Sequence, residues 1–302
     1  MGYLNNRNGM AMVFVSLLIT VMIGAVALSV DVGIAMAERI ALSNALDAAA
    51  LAGGQELPAS PSKARSVTMQ YLSANGVDPS AVSIDISSDN RQITLVGSDV
   101  VENRFARLLG VPTTTVGASA AARVGAAVSA RGGIRPLAIA DQPLVYGQTV
   151  VLKEEGGDGT NGNYGAVSFD SNYGAAIFRE YLLNGYNGVI RVGDIIETEP
   201  GNMASSISTV QEVIAMDRYA TFDNFKRDSP RAWTIPVLRS WDVSGRDEVE
   251  VVGFAQFFIE NIQKKSGKAE ITGKFIRFTT NGEIGESQTD YGVYGVKMVL
   301  AP

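Results

Sequence analysis

An uncharged run of twenty-one residues, from Met10 to Val30, constrains the fold of this chain more than any other feature. In an α-helix the run would be about 30 Å long, which matches the hydrocarbon core of a bilayer. The sequence therefore predicts one membrane-spanning helix. A cleaved signal peptide is the alternative, because Ala35-Met36-Ala37 and Ala48-Ala49-Ala50 resemble processing sites. The apolar part of a signal peptide usually has about 7–15 residues, so the longer run favours a retained anchor.

The charges around this run predict its orientation. Arg7 precedes it, whereas Asp31, Glu38, Arg39 and Asp47 follow it. Positive charge is favoured on the cytoplasmic side of a membrane-spanning helix. We therefore expect a single-pass protein of the cytoplasmic membrane, with a cytoplasmic N-terminus and an exported C-terminal body.

The helix is predicted to continue beyond the membrane, because the first proline of the chain is Pro58. Small residues recur at every fourth position along it, and such a row lets two helices approach closely. We predict a helix-packing interface, which leucine at Ala41 or Ala45 should weaken while membrane insertion and the folded exported domain stay intact. Composition is the alternative explanation, since fourteen of the 29 residues from 25 to 53 are Ala, Gly or Ser. The row consists of Ala25, Ser29, Gly33, Ala37, Ala41, Ala45, Ala49 and Gly53.

A denser motif lies in the same segment. It consists of Asp31, Gly33, Leu42, Asn44, Ala45, Asp47, Ala48, Ala49, Ala50, Leu51, Ala52 and Gly53. This motif resembles the N-terminal signature of the TadG-like, or Tad-domain, proteins of bacterial Flp pilus systems. Later patches that resemble such proteins are Tyr71, Asn75-Gly76, 105–110, 115–120, 159–165, Gly193-Asp194 and 198–203. The resemblance implies a role in pilus assembly, with pilins or other pilus-assembly membrane proteins bound by the N-terminal helix.

One position departs from the pattern of processed pilins. Flp-type pilins carry a glutamate five residues after the glycine that precedes their apolar segment, whereas Gly9 is followed at that distance by Phe14. We therefore expect an unprocessed, TadG-like anchor that keeps residues 1–57.

Composition excludes several kinds of chemistry. The chain has 302 residues, without cysteine or histidine, and a net charge of −6. Disulfides, zinc–thiolate sites, Ser-His-Asp triads and imidazole ligands are therefore excluded, and nucleic-acid binding is disfavoured. We expect a non-enzymatic scaffold or accessory protein without cofactor, which contacts the lipid bilayer and whose exported domain binds pilins, the cell wall or another protein. The alternatives are a membrane-tethered cell-wall enzyme with a carboxylate pair across one cleft, and a surface adhesin.

The chain is predicted to be an α+β protein of three parts. Residues 1–57 form the anchor and extended helix, residues 58–131 a small αββαβ unit, and residues 134–302 a mostly antiparallel, β-rich exported domain with two helices. The small unit is predicted to contain helix Ser62–Ala74, strands Val82–Ile86 and Gln92–Val96, helix Val100–Leu109 and strand Thr113–Val128.

The β-rich domain is expected to curl towards a barrel and to carry helices Gly174–Leu183 and Met203–Met216. Its predicted strands are Ile134–Ala140, Thr149–Lys153, Ala166–Phe169, Val189–Val192, Trp233–Ser240, Glu248–Glu260, Ala269–Thr279 and Val293–Leu300.

Three groups of residues could carry a site. The acidic loop 154–163 could bind calcium, but its spacing differs from that of an EF-hand, which favours a solvated turn. Asp194 and Glu199 lie near a predicted helix start, where Pro200-Gly201 fits a type II turn and Asn202 a helix cap. We therefore expect a structural turn at Thr198, Glu199, Pro200, Gly201 and Asn202.

Asp31 is the third candidate. It is either functional or simply ends the membrane segment in water.

Overall fold

The computed structural model describes residues 7–153, 164–170, 173–199, 207–241, 246–265, 268–280, 282–285 and 289–301. It confirms an α+β fold with a long N-terminal helix and a mostly antiparallel, β-rich body. The α-helices of these residues are α1 Arg7–Gly54, α2 Pro61–Ala74, α3 Ala175–Asn184 and α4 Ile207–Met216. The strands are β1 Val82–Ile86, β2 Gln92–Glu102, β3 Thr113–Ala126, β4 Ser129–Arg131, β5 Leu137–Ala140, β6 Thr149–Lys153, β7 Tyr164–Ser168, β8 Val189–Arg191, β9 Ile195–Thr198, β10 Ala232–Leu238, β11 Glu248–Lys265, β12 Lys268–Ile276, β13 Phe278–Thr279 and β14 Val293–Val299.

Helix α1 is continuous over 48 residues, so it is about 70 Å long. Its apolar side chains from Met10 to Val30 are largely exposed, whereas Leu42 and Leu46 are buried in the body. The same helix is therefore both the candidate membrane span and part of the protein's core.

Helices α1 and α2 pack on one face of a five-stranded sheet with the order β1-β2-β3-β14-β13. The core between them contains Leu46, Leu72, Ile93, Leu95 and Val124. Each such buried aliphatic side chain contributes about 1.5–3 kcal/mol, which makes the second half of α1 an integral part of this layer.

The C-terminal strand completes this first sheet. Strand β14 pairs antiparallel with β3, so that Val296 lies opposite Val124. The predicted boundary between residues 131 and 134 stays a prediction. Strands β3 and β14, which lie on either side of it in the chain, are paired with each other.

The predicted helix Val100–Leu109 is wrong. Val100 and Val101 extend β2 and lie opposite Thr115 and Thr114 of β3. The residues that follow form a short 3-10 helix, Ala106–Leu109, which ends at Gly110 with φ +88°. The β-branched residues favour a strand because their pairing with threonines of β3 overrides the local helical pattern.

The second sheet has the order β10-β5-β7-β9-β11-β12-β6. Strand β11 pairs with β9 near its start and with β10 further along, so β10, β5, β7, β9 and β11 close into a ring. This closure agrees with the predicted curl towards a barrel. Helices α3 and α4 contribute Leu182, Val210 and Val213 to a core that also contains Trp233 and Phe257.

Buried arginines hold loops against this core. Arg231 donates to the backbone carbonyls of Ile259, Ala220 and Asp217 at 2.9, 2.7 and 3.2 Å. Arg135 donates to the carbonyl of Leu182 at 2.8 Å, near the C-terminus of α3, and burial lowers its pKa to about 10. Both cations are therefore bound to carbonyl groups of the protein's own backbone.

Side-chain contacts hold the first sheet and α1 to the C-terminal segments around β13 and β14. Arg91, just before β2, forms an ion pair of 2.5 Å with Asp290, and Tyr294 donates to the same carboxylate at 3.0 Å. Thr279 donates to the carbonyl of Leu57 at 3.1 Å, near the end of α1. The segment that follows the C-terminal end of α1 is thus bound to the C-terminal half of the chain.

Candidate functional site at the membrane end of helix α1

The first half of α1 has the surface of a membrane-spanning helix. It is the one helix of the described residues that is long and apolar enough to cross a membrane. Ser16, Thr20 and Ser29 donate to backbone carbonyls four residues earlier, at 2.8 to 2.9 Å. Because these hydroxyl groups are already hydrogen-bonded, they can lie in hydrocarbon without an unsatisfied donor.

Asp31 is the first charged residue after this surface, and it is buried, with 4% of its surface exposed. Its carboxylate accepts hydrogen bonds from three consecutive backbone N–H groups: Arg104 at 2.7 Å, Phe105 at 3.0 Å and Ala106 at 2.6 Å. Both sequence hypotheses for Asp31 are therefore incomplete, because the residue neither ends the segment in water nor faces an open site.

The partners of Asp31 belong to the connection between β2 and β3. The N–H groups at the start of a helix have no partner within the helix, and a carboxylate placed there satisfies them. Asp31 supplies this cap to the 3-10 helix Ala106–Leu109 from a different element of the chain. Asn103 closes the same connection, because its side chain donates to the carbonyl of Val111 at 3.1 Å and accepts from Thr114 at 3.0 Å.

The row of small residues divides into two parts. Ala25, Ser29, Gly33, Ala37 and Ala41 are exposed, whereas Ala45, Ala49 and Gly53 are buried in the protein's own core. Successive members are rotated by about 40° around the helix, so one row cannot face one neighbour throughout. The prediction of a partner interface stays a prediction for the exposed part. A leucine at Ala45 would disturb the folded body, contrary to our sequence-based expectation.

Gly53 shows why the buried part needs small residues. A Cβ atom there would lie 2.1 Å from Oγ1 of Thr68 and 3.1 Å from the carbonyl oxygen of Ala64, both in α2. Of the other residues of the Asp31–Gly53 motif, Ala50 and Ala52 are buried, Asp47, Ala48 and Leu51 are half-buried, and Asn44 is exposed. Much of the motif therefore packs α1 against α2 and the first sheet.

The structure describes only the first two residues of the predicted turn, Thr198 and Glu199. Thr198 accepts from the backbone N–H of Asp247 at 2.9 Å, and Glu199 pairs with Arg246 at 3.3 Å. Asp194 accepts from the N–H of Arg191 at 2.8 Å, within its own turn. Pro200, Gly201 and Asn202 lie outside the described residues, as does the acidic loop 154–163. The structural role of the turn stays a prediction.

These contacts bear on the chemistry that the described part of the chain can perform. Asp194 and Glu199 are each hydrogen-bonded to a neighbouring group of the protein. Among the described residues, no group of three or more Asp and Glu side chains is placed to hold a metal ion.

Comparison with known families identifies the N-terminal segment. Residues 9–56 match the Tad family model. The family is described as "Putative Flp pilus-assembly TadE/G-like". No curated protein and no solved structure matches the chain. The Tad match confirms the resemblance seen in the Asp31–Gly53 motif and indicates involvement in Flp pilus assembly, whereas the later patches stay a prediction.

The matched segment corresponds closely to helix α1. It begins in the first turn and ends at Glu56, two residues after the helix. The match thus covers the apolar span, Asp31 and the buried residues up to Gly53. Together with the one long apolar helix, it indicates a single-pass membrane anchor.

Proposed function

We propose that this protein is a non-enzymatic scaffold or accessory component of Flp pilus assembly. Its N-terminus is cytoplasmic, its body is exported, and the exposed small residues of α1 bind pilins or other pilus-assembly membrane proteins. The observation that supports this most is the continuity of α1 from the exposed apolar surface into the buried core.

A single helix without a break couples the membrane to the body mechanically. The Asp31 contacts add a second connection at the point where the helix enters the body. A partner that packs against α1 therefore also positions the exported sheets. This arrangement suits a protein that holds other components in place, with the body contacting pilins or the cell wall.

The exposed small residues between Ala25 and Ala41 support lateral packing in or near the membrane. A Cβ atom at Gly33 would meet no other atom within 4 Å, so a neighbouring backbone can approach there. The charge distribution around the apolar run supports the orientation.

The natural absence of cysteine allows a direct test of orientation. Asn5→Cys and Ser73→Cys each introduce a single thiol on opposite sides of the predicted span. In intact spheroplasts, a membrane-impermeant maleimide should label Ser73→Cys, and it should label Asn5→Cys after lysis. Labelling of Asn5→Cys before lysis, with Ser73→Cys protected, would refute the proposed orientation.

A second experiment tests the scaffold role. A photo-crosslinking residue at Ala37 should capture pilins or pilus-assembly membrane proteins in cells. The matched control is Arg39, which is also exposed but lies about 200° further around the helix. Equal capture from both positions would argue against a specific helix interface.

A further inference from the structure

The connection between β2 and β3 carries an exposed apolar surface. We call residues 104–111 the β2–β3 tip. Phe105 and Val111 are about half exposed, and Leu108 and Leu109 are each 81% exposed. Large aliphatic side chains that are so fully exposed and lie together in one short connection are typical of an interaction surface.

The position of this tip relates it to the membrane span. Asp31, the first charged residue after the apolar run, is hydrogen-bonded to the backbone of Arg104, Phe105 and Ala106. Phe105 also lines a groove of about 480 Å³ together with six residues of α1 between Ile19 and Val30, all of them apolar. The apolar surface of the tip is therefore continuous with that of the span.

The tip is held in one conformation by its own hydrogen bonds. The N–H of Val111 donates to the carbonyl of Ala106 at 3.1 Å, and the N–H of Asn103 donates to the carbonyl of Pro112 at 2.9 Å. Gly110 adopts φ +88°, which glycine tolerates without strain and which reverses the chain after Leu109. The leucines are thus presented by a fixed turn.

The charges of the tip fit a lipid surface. Arg104 and Arg107 are exposed beside the apolar side chains. At a membrane interface, arginine can place its aliphatic part along apolar groups while its guanidinium group contacts lipid phosphates.

We propose that the β2–β3 tip enters the outer part of the bilayer beside α1 and forms a second membrane contact, with Leu108 and Leu109 among the acyl chains. This inference rests on the membrane anchoring in the proposed function. We favour lipid as the contact of the tip because the tip lies beside the span, next to Asp31, the first charged residue after the apolar run. Two separated contacts would fix the tilt and rotation of the exported body, which a single helix leaves free.

Site-directed spin labelling of the full chain tests this contact. Leu109→Cys and Leu108→Cys are labelled separately, and the protein is reconstituted in vesicles of phosphatidylcholine and phosphatidylglycerol. Leu28→Cys in the span is the reference for exposure to lipid, and Ser73→Cys in α2 is the reference for exposure to water. Relaxation by oxygen reports lipid exposure, and relaxation by a water-soluble nickel complex reports aqueous exposure.

We expect labels at Leu108 and Leu109 to resemble the label at Leu28, with strong relaxation by oxygen and weak relaxation by nickel. Labels that resemble Ser73, while Leu28 is protected from nickel, would overturn the inference and leave the anchor intact. Labels shielded from both reagents would indicate a protein contact between two copies and would also overturn it. Exposure of Leu28 to nickel would refute the membrane anchoring, and the tip contact with it.

Discussion

The backbone N–H of Ala106 donates a 2.6 Å hydrogen bond to the carboxylate of Asp31, which lies 75 residues earlier in the chain. This bond connects the membrane end of α1 to the connection between β2 and β3. It gives the acidic residue after the apolar run a structural role, because a buried carboxylate with several N–H donors fixes both the helix and the turn.

Replacement of Asp31 should loosen this connection. In Asp31→Ala, the N–H groups of Arg104, Phe105 and Ala106 lose their acceptor, so hydrogen exchange at these amides should accelerate and the midpoint of thermal unfolding should fall. Asp99→Ala is the matched control, since Asp99 is exposed and its carboxylate accepts from the N–H of the adjacent Val100. Unchanged exchange in Asp31→Ala would contradict the capping role.

The Asp31 contact shows what the sequence could not predict. The position of the membrane helix follows from a local run of apolar residues, and strand Thr149–Lys153 follows from a local run of β-branched residues. The carboxylate that accepts hydrogen bonds from the N–H groups of residues 104–106 lies in α1, far away in the chain. No local sequence pattern predicts such a contact. The wrong helix at Val100–Leu109 has the same cause, because pairing with β3 determined the conformation of Val100 and Val101.

Gly53 should be far more sensitive to substitution than Gly33. In Gly53→Ala the new methyl group meets Thr68 and Ala64, so we expect a loss of about 1–3 kcal/mol in the free energy of unfolding. In Gly33→Ala the methyl group meets nothing within 4 Å, and the higher helix propensity of alanine should stabilise the helix by up to ~1 kcal/mol. Chemical denaturation of both variants measures the difference, and equal stabilities would contradict the packing described for Gly53.

The small-residue row could be predicted from sequence, but its division could not. A four-residue spacing shows that the members lie near one another on the helix, without showing which neighbour covers them. Burial of Ala45 and Ala49 depends on where the first sheet begins to cover α1, and this is set by residues far away in β2 and β3.

Ala41 and Ala45 should respond differently to the same substitution. Ala41→Leu adds bulk to an exposed position, so partner capture from the photo-crosslinker at Ala37 should decrease while the body keeps its stability. Ala45→Leu adds bulk to a filled core and should destabilise the body by about 1–3 kcal/mol. Capture yield and thermal unfolding are measured on both variants. Wild-type capture by Ala41→Leu would show that the exposed row results from composition.

The stability of the body should decrease at alkaline pH. Burial raises the pKa of Tyr146 and of Tyr291 to about 12, and the nearby carboxylates of Asp290 and Asp141 add to the respective shifts. Since the folded pKa exceeds that of an unfolded tyrosine, about 10, the stabilisation is complete below pH 10 and is lost between about pH 10 and 12. Unfolding midpoints across this range should fall. Tyr291→Phe should make the unfolding midpoint fall less steeply with pH. An unchanged pH dependence would contradict the contribution of Tyr291.

The Thr198–Asn202 turn is expected to be structural. Glu199→Gln removes one charge from a partly exposed pair with Arg246, so the free energy of unfolding should change by less than about 1 kcal/mol. Asn202→Ala should cost about 1 kcal/mol if Asn202 caps the following helix. Gly201→Val should cost more, because a β-branched residue resists the positive φ of a type II turn.

Pilus assembly distinguishes this structural role from a binding or catalytic one. Cells that carry Glu199→Gln or Asp194→Asn should assemble pili as the wild type does, since each carboxylate is engaged by the protein itself, Glu199 by Arg246 and Asp194 by the N–H of Arg191. Protein level and membrane location are measured in the same cells to separate function from folding. A stable, correctly located Glu199→Gln protein that no longer supports assembly would refute the structural role and identify the turn as a functional site.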